Sequence, residues 1–344
     1  MRKNFKPDIQ YLLKILRREK TDRPVLFEFI IDDSLLRRHS NKFQNSPAGT
    51  LEYFVMVADA FKNLGYDYAP VYPWHTNMLT FTKAQHATKE SYSLNEAAVI
   101  TDRDSFEKYT WPDSQRGDYE VFETINPSLP DGMKLLACSN GGILEHAFDL
   151  CGFENLCMIA MLDSEFAHEI FENIGRRLFE YYQIVSAFDS VGVCVVNDDW
   201  GFKTQTMFSP ELMRKYVFPW TRKIIQTIHE NGKPVILHSC GNLKTIMNEI
   251  IDDLEIDGKH SFEDEIYPIE DAYDWWHDRI ALMGGIDVGF LSTKSPDEIR
   301  GRSINLLKKT SDTGAYALGS GNSIPPYVPE DNYLAMISSV EQFD

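Results

Sequence analysis

Short apolar runs alternate with longer amphipathic segments over most of the chain. The apolar runs are bounded by Gly, Pro, Asn or Asp, a pattern typical of buried strands. Strands are predicted at residues 24–31, 133–138, 191–196, 234–237, near 256, at 280–283 and at 315–318.

The amphipathic segments between these runs carry helix start and stop signals. Thr50 precedes a periodic apolar pattern that ends before Gly65, a residue suited to a C-terminal cap. Asp163 and Ser209 stand where N-terminal caps belong. Further helices are predicted after Asn242, from Ser295 and from Pro329.

This alternation predicts parallel strands joined by helical crossovers. An open doubly wound sheet and a closed barrel both fit, but the chain has no G-x-G-x-x-G after its first strand and no phosphate-binding P-loop motif. Seven or eight predicted strands without a compositional break favour the α/β class. The predicted architecture is a single (β/α)8 TIM barrel over 24–344, preceded by an N-terminal helix in 1–23. The aromatic and polar segment 66–130 is predicted to form an insertion over the barrel mouth.

Composition excludes several classes of partner. With 34 Lys and Arg against 52 Asp and Glu, the net charge is −18, which repels phosphate, so neither nucleic acid nor a membrane is an expected partner. The five cysteines are scattered, and the amino-terminal segment has no apolar leader stretch. Both features favour a cytoplasmic protein with reduced thiols.

Polar side chains follow six successive predicted strands. In a TIM barrel the carboxyl ends of the strands form one rim, where chemistry takes place, so these side chains are expected to converge. They are Asn140, Asn197 with Asp198 and Asp199, His238 with Cys240, Lys259 with His260 and Glu263, Asp287, and Ser320 with Asn322.

His238 and Cys240 form the most specific pair. Residues two apart in extended backbone point the same way, so an imidazole nitrogen and a thiolate can bind one metal ion, and zinc suits that pair. A zinc site needs at least a third ligand. The alternative is a buried core histidine beside an inert thiol.

Asp198, Asp199 and His260 are candidate acid–base groups. Two adjacent carboxylates repel each other, which raises the pKa of one of them and suits it to proton transfer. Three alternatives stay open for the two carboxylates: they bind a metal ion, they fix the tautomer of His238, or they lie in a solvated turn. His260 is either a general base or an exposed residue of an acidic loop.

With these residues the chain resembles the uroporphyrinogen decarboxylase superfamily, which includes corrinoid-dependent methyltransferases of the methylcobamide:coenzyme M type. The motifs that carry the resemblance are NDDWGFKTQTMFSP from 197, GKPVILHSCGN from 232, GGID from 284 and LGSGNSIPPYVPEDN from 318. The resemblance implies a uroporphyrinogen decarboxylase-like TIM barrel.

Departures from the family pattern distinguish its branches. The decarboxylases carry an arginine-rich motif near the first strand and a histidine after the last one; here Arg37 and Arg38 stand in a different context and the last strand leads into Leu318-Gly319-Ser320-Gly321. The methyltransferases bind zinc through His-x-Cys, which His238 and Cys240 match, and a late cysteine, which aligns with Asn322. Candidate third ligands are Glu145, His146, Asp199 and His260.

The resemblance therefore implies a zinc-dependent methyltransferase that moves a methyl group between a small substrate and a corrinoid protein. The chain has no D-x-H-x-x-G motif of its own, so the corrinoid is expected on a partner. Two alternatives stay open: a cofactor-free decarboxylase acting on uroporphyrinogen or another small acid, and a non-catalytic ligand-binding barrel. The predicted residues are, for catalysis, Asp198, Asp199 and His260; for substrate, Asn140, Ser320 and Asn322; and for metal, His238 and Cys240.

Overall fold

The core of the protein is a curled parallel sheet whose strands follow one another in sequence order. The computed structural model describes residues 5–83 and 98–343. Every strand pairs in parallel with its neighbours along the chain, from the first to the seventh. The strands are β1 (Tyr68–Val71), β2 (Lys134–Cys138), β3 (Val191–Asn197), β4 (Val235–His238), β5 (Gly258–His260), β6 (Ala281–Met283) and β7 (Tyr316–Ala317).

Helices connect the strands and cover the outside of the sheet. The α-helices are α1 (Ile9–Leu16), α2 (Asp33–His39), α3 (Leu51–Leu64), α4 (Arg103–Lys108), α5 (Glu120–Thr124), α6 (Ile143–Cys151), α7 (Phe153–Leu162), α8 (Ser164–Val185), α9 (Pro210–Leu212), α10 (Phe218–Glu230), α11 (Ile269–Trp276), α12 (Val288–Thr293), α13 (Pro296–Thr310) and α14 (Glu330–Ile337). Shorter 3₁₀ segments are Pro73–His75, Ser114–Arg116, Asn126–Ser128, Lys244–Ile246 and Ser338–Gln342, and π-helical turns are Met213–Val217 and Glu249–Asp253.

The predicted helix caps are present. The Thr50 side chain accepts a hydrogen bond from the third residue of α3, and Gly65 ends that helix at φ 99°. Asp163 caps α8 in the same way, and Ser295 forms a capping box with Glu298. These side chains accept hydrogen bonds from backbone amides that a helix leaves unpaired. Because each cap depends on residues within one turn, the caps can be predicted from the sequence.

The predicted first strand, 24–31, is instead an extended segment with single bridges. Leu26 pairs with Leu318, and Ile31 pairs with Ile324. On the other side of the segment, the Tyr68 hydroxyl donates to the carbonyl oxygen of Glu28 and accepts from its amide. A side chain therefore satisfies the backbone groups that a neighbouring strand would otherwise bind. The α/β class and the parallel sheet are confirmed, and closure into an eight-stranded barrel stays a prediction.

Strand β1 was missed because it lies inside the segment predicted as an insertion. Its four residues include Pro70 and are flanked by aromatic and polar residues, which hid the apolar run. The remainder of 66–130 contains short helices, and residues 84–97 lie outside the described residues. The insertion over the mouth therefore stays a prediction.

The predicted helix after Asn242 is present over 244–253, but it is irregular. It begins as a 3₁₀ turn, continues through two α-helical residues and ends as a π-helical turn, and β5 follows from Gly258, close to the strand predicted near Ile256. Leu243, Ile246 and Ile250 are buried along one face of this connection. Such spacing suits any helical type, so periodicity alone did not separate them.

Helix α1 packs at the amino-terminal ends of the strands. Ile9 lies against Gly192 at the start of β3, and Leu16 lies against Gly258 at the start of β5. The carboxyl ends are therefore the end that remains available for a site. No described helix is both long and apolar enough to span a membrane.

Candidate metal centre

The carboxyl ends of three neighbouring strands bring the central residues together. His238 is the last residue of β4, and its register partners are Asn197 at the end of β3 and His260 at the end of β5. Asp199 follows β3 by two residues, and Cys240 follows β4 by two. Parallel pairing therefore places side chains that are far apart in sequence on one edge of the sheet.

Asp199, His238 and Cys240 form a cluster that fits a metal ion. One donor atom from each lies within 4.8 Å of the others. The Cys240 sulfur lies 3.9 Å from Nε2 of His238, close to the roughly 3.5 Å that separates tetrahedral nitrogen and sulfur ligands of zinc. The Cys240 amide also donates to Oδ1 of Asp199 at 2.8 Å, which fixes the carboxylate beside the thiol. Of the four candidate third ligands, the structure brings Asp199 to this pair.

A chain of hydrogen bonds orients His238 for metal binding. Nε2 of His260 lies 3.3 Å from the carbonyl oxygen of Ser320, which can only accept, so Nε2 carries the proton. Nδ1 of neutral His260 then accepts from Nδ1 of His238 at 2.8 Å. The lone pair of His238 is thereby left on Nε2, the nitrogen nearest Cys240. Metal-binding histidines are typically held by such a partner on their other nitrogen.

Both histidines are kept neutral by their surroundings. Burial lowers the pKa of His260 to about 3, and burial together with His260 and Lys259 lowers the pKa of His238 well below its ordinary value. Phe27 packs 5.0 Å from His260 and Phe29 packs 4.7 Å from His238, ring centroid to ring centroid. A neutral imidazole is the form that binds a metal ion.

The Cys240 sulfur receives two hydrogen bonds. Asn322 Nδ2 donates to it at 3.2 Å and Ser261 Oγ at 3.4 Å. Burial, followed by the Asp199 carboxylate, raises the pKa of the Cys240 thiol to about 12. A thiolate at Cys240 would therefore require the positive charge of a bound metal ion, with the two donors adding to its stabilisation.

Lys259 is a buried cation beneath the cluster. Its ammonium group donates to the carbonyl oxygens of Ser239, His260 and Ser261 at 2.7–2.9 Å. Burial lowers the pKa of Lys259 to about 8. The three carbonyl oxygens occupy all three donors of the ammonium group, so its charge acts on the cluster through space rather than by direct contact.

Asp198 faces a different neighbour from Asp199. Its carboxylate accepts the backbone amides of Leu144 and Glu145 at the start of α6. Burial raises the pKa of Asp198 to about 7. Burial and the carboxylates of Asp198 and Asp199 raise the pKa of Glu145 well above its usual range. The structure therefore places the Asp198 carboxyl group at the amino terminus of α6, where it accepts two backbone amides.

Among the described residues, no hydrogen bond joins the Ser320 or Asn140 side chain to Asp199, His238 or Cys240. The Ser320 amide and hydroxyl both bind the carboxyl group of Glu28 at 2.7 Å. Asn140 is half-buried in the loop before α6, and no hydrogen bond among the described residues joins it to the cluster. His146, a candidate ligand, is buried against the Phe81 ring at 4.4 Å. The roles predicted for Ser320, Asn322, Asn140, Asp198 and His260 stay predictions.

Sequence reasoning assigned no role to Glu28 or Ser261, and it named Lys259 only among the polar groups at the strand ends. Glu28 is a single carboxylate within an apolar run, and this exception to the pattern was a signal that it is a candidate functional residue. Lys259 stands next to His260, and a charged residue inside a strand was a second signal. Ser261 has φ 87°, a left-handed backbone that no feature of its sequence indicates.

A family model described as uroporphyrinogen decarboxylase matches residues 77–343. The chain belongs to the uroporphyrinogen decarboxylase family. The matched region contains every residue of the metal cluster and the loop that carries Asn322, while Glu28 lies ahead of it.

The fold is also similar to that of solved structures. A methyltransferase from Methanosarcina mazei has a TM-score of 0.70 and 17% identity, with 99% of each chain covered. An intracellular xylanase from Thermoanaerobacterium saccharolyticum reaches a TM-score of only 0.45 at 10% identity, covering 97% of this chain and 99% of that one. Among curated protein sequences no match was found.

Within the family, the arginines near the first extended segment are used locally. Arg37 binds the Asp33 carboxylate at 2.6 Å and the carbonyl oxygens of Gln44 and Ser46. Arg38 binds Glu330 at 2.8 Å. Neither guanidinium group is therefore available as an unpaired cation for a polycarboxylate substrate.

Proposed function

We propose that this family member is a zinc-dependent methyltransferase that moves a methyl group between a small substrate and a corrinoid protein. The observation that carries the proposal is the cluster of Asp199, His238 and Cys240. In a closed (β/α)8 barrel with residues 24–31 as the eighth strand, this edge is the one at which substrates bind. The fold of the Methanosarcina mazei methyltransferase supports the same assignment.

Asp199, His238 and Cys240 would hold the zinc, which supplies Lewis-acid stabilisation of a deprotonated substrate sulfur or oxygen. His260 and the Ser320 carbonyl keep the lone pair of His238 directed at the site. Asn322 and Ser261 stabilise the negative sulfur of Cys240. The phenylalanines of the 24–31 segment exclude water from the histidines.

The proposed reaction balances without a redox partner. The substrate thiol or hydroxyl releases its proton to water, and its heteroatom forms a bond to the methyl carbon. The cobalt–carbon bond of the partner's corrinoid breaks at the same time, and its electron pair stays on cobalt. The corrinoid is carried by the partner and reaches the site from the open rim.

Family membership is consistent with one alternative function, the decarboxylation of uroporphyrinogen. Its substrate carries many carboxylates and requires matching cations. The local ion pairs of Arg37 and Arg38 and the net charge of −18 oppose that chemistry. A direct assay with uroporphyrinogen and no added metal tests it.

Metal content tests the methyltransferase proposal most directly. Protein purified with zinc supplied and without chelator is expected to hold one zinc per chain by elemental analysis. Cys240→Ser is expected to lose the metal, because a neutral hydroxyl is a far weaker ligand than a thiolate. Cys194→Ser is the matched control: that thiol is buried inside β3, so this variant is expected to keep the zinc.

Turnover completes the test. Zinc-loaded protein is expected to demethylate methylcobalamin in the presence of a small thiol, followed by the change in corrinoid absorbance. Wild-type protein without stoichiometric metal would exclude the zinc methyltransferase. Metal without methyl transfer would favour a ligand-binding barrel, and metal-independent loss of carbon dioxide from uroporphyrinogen would favour the decarboxylase.

A further inference from the structure

A lysine side chain joins the ends of β4 and β5 just past their last paired residues. His238 and His260 are the last register pair of the two strands. Beyond that pair, the Lys259 ammonium group donates to the carbonyl oxygens of Ser239 and Ser261, both at 2.9 Å. A third donation reaches the carbonyl oxygen of His260 at 2.7 Å. Lys259 therefore ties together the two strand ends that carry the candidate metal site.

The geometry around Lys259 is that of a charged ammonium group. Its three acceptors match the three hydrogens of the ammonium form, whereas a neutral amine has only two. The residue is fully buried, and its ammonium group also lies over the Phe262 ring, 4.9 Å from the centroid. Burying such a charge is costly, and a methionine of similar length would occupy the space without that cost. The carbonyl oxygens and the ring therefore compensate for the buried charge.

Ser261 is the residue on which Lys259 acts most directly. Its backbone has φ 87°, in the left-handed region that a residue with a side chain rarely adopts. In this conformation its carbonyl oxygen accepts from Lys259, and its hydroxyl donates to the Cys240 sulfur at 3.4 Å. A strained backbone persists only where its surroundings hold it. The bond from Lys259 supplies such a constraint.

The other two acceptors are equally close to the candidate ligands. Ser239 lies between His238 and Cys240 in the sequence, and its amide donates to the carbonyl oxygen of His260 at 3.1 Å. The Nδ1 atoms of His260 and His238 lie 2.8 Å apart. Each carbonyl group that Lys259 binds therefore belongs to a residue that adjoins or contacts a candidate zinc ligand.

We propose that Lys259 is a positioning residue for the zinc site, which holds Ser261 in its left-handed conformation so that the Ser261 hydroxyl donates to Cys240. Without the ammonium group, the Ser261 backbone relaxes toward an extended conformation and its hydroxyl turns away from the sulfur. The zinc-bound thiolate then loses one of its two hydrogen-bond donors. This proposal rests on the proposed function, because it takes Cys240 as a zinc ligand.

The zinc affinity of Lys259→Met tests this role, since methionine has a similar length but neither the charge nor the donors. Competition with a chromophoric chelator is expected to show about 10–100-fold weaker zinc binding than in wild type. Lys233→Met is the matched control. Lys233 also donates to backbone carbonyl oxygens, those of Phe188 and Val191, but at the start of β3, the opposite end of the sheet. This variant is expected to bind zinc as wild type does.

A double-mutant comparison tests whether Lys259 acts through Ser261. Ser261→Ala removes only the hydroxyl and is expected to weaken zinc binding about two- to tenfold. In the Lys259→Met background the same substitution is expected to change the affinity by about twofold or less, because the hydroxyl has already turned away. Cobalt in place of zinc gives a spectroscopic readout. The thiolate-to-cobalt absorption is expected to shift in both single variants and to stay unchanged in Lys233→Met.

The outcomes separate this proposal from the function on which it rests. Wild-type zinc affinity in Lys259→Met or in Ser261→Ala would overturn the positioning role while the metal site stands. An equal effect of Ser261→Ala in both backgrounds would do the same. Wild-type protein that binds no zinc would overturn the proposed function instead. If Lys259→Met does not fold, Ser261→Ala still tests the proposal, because wild-type affinity in that variant contradicts it.

Discussion

At the scale of single residues, His260 acts on the candidate metal site through His238. It accepts from Nδ1 of His238 and donates to the Ser320 carbonyl oxygen. Both of its nitrogens are engaged with protein groups, an arrangement that suits a positioning residue. The general base that the sequence suggested stays a prediction.

Replacing His260 is expected to weaken zinc binding. His260→Phe fills a similar volume but offers no acceptor, so zinc affinity should fall about 10–100-fold, measured by competition with a chromophoric chelator. His260→Gln keeps a carbonyl acceptor and should recover part of the loss. The control is His277→Phe, since His277 stacks on Tyr273 in α11. Unchanged affinity in His260→Phe would show that the histidine chain does not orient the ligand.

At the scale of secondary-structure elements, the start of α6 meets the end of β3. Asp198 reaches the α6 amides only because Gly142 has no side chain: a Cβ there would lie 2.1 Å from the Asp198 Cβ. A glycine therefore allows the strand end and the helix start to touch. This contact also places Glu145 beside Asp199.

Gly142→Ala is expected to destabilise the protein by about 2 kcal/mol or more, because the backbone has to move to relieve the overlap. Gly301→Ala is the matched control. Gly301 is exposed within α13 with nothing near its missing Cβ, so alanine there should stabilise by about 0.5–1 kcal/mol. Urea denaturation of both variants measures the difference. Equal stability of Gly142→Ala and wild type would mean that α6 and β3 are packed more loosely than the structure shows.

The 24–31 segment contributes a pH-dependent stability through Glu28. Burial raises the pKa of this carboxyl to about 8 from an ordinary value of 4.5. The folded state therefore keeps a proton that the unfolded state releases, so this contribution is present at pH 4 and is lost as pH rises from about 4.5 through 8. The Ser320 hydroxyl and amide both donate to this carboxyl group at 2.7 Å, which opposes part of the rise in its pKa.

Glu28→Gln is expected to flatten that dependence. The amide reproduces the neutral acid and does not ionise, so the variant should match wild type near pH 5 and exceed it at pH 8 by on the order of 2–4 kcal/mol. Unfolding free energies from urea titrations at both pH values provide the measurement. A variant with the same pH slope as wild type would show that Glu28 is ionised in the folded protein.

At the scale of the whole molecule, the candidate metal site is one part of a protein with a large apolar core. Buried side chains extend from α1 to the end of α14 and make the fold independent of any single ligand. A zinc finger differs in this respect, because metal replaces a core that it lacks.

Removing the metal is therefore expected to abolish methyl transfer while leaving the fold. After chelation the far-UV circular dichroism should be unchanged, and the melting temperature should fall only by the linkage of zinc binding to the folded state. Restoring zinc should restore activity. The metal should also dissociate as pH falls, because protons compete for the imidazole and the thiolate. Loss of secondary structure on chelation would contradict this prediction.

The sequence by itself determined the α/β class, the helix caps and the His-x-Cys pair. Each of these depends on residues within one turn or one strand, where spacing fixes direction. Thr50, Asp163 and Ser295 cap helices through their own neighbours. His238 and Cys240 face one site because they lie two positions apart in extended backbone.

Only the tertiary structure decided which distant residues complete the site. Asp199 rather than His146 joins the pair because β3 lies beside β4, and His260 faces His238 because β5 aligns with β4. Residues 24–31 form an extended segment with single bridges. The Tyr68 hydroxyl binds the Glu28 amide and carbonyl groups that a neighbouring strand would otherwise bind. Strand order and register depend on contacts summed over the whole core, which local patterns of polarity do not encode.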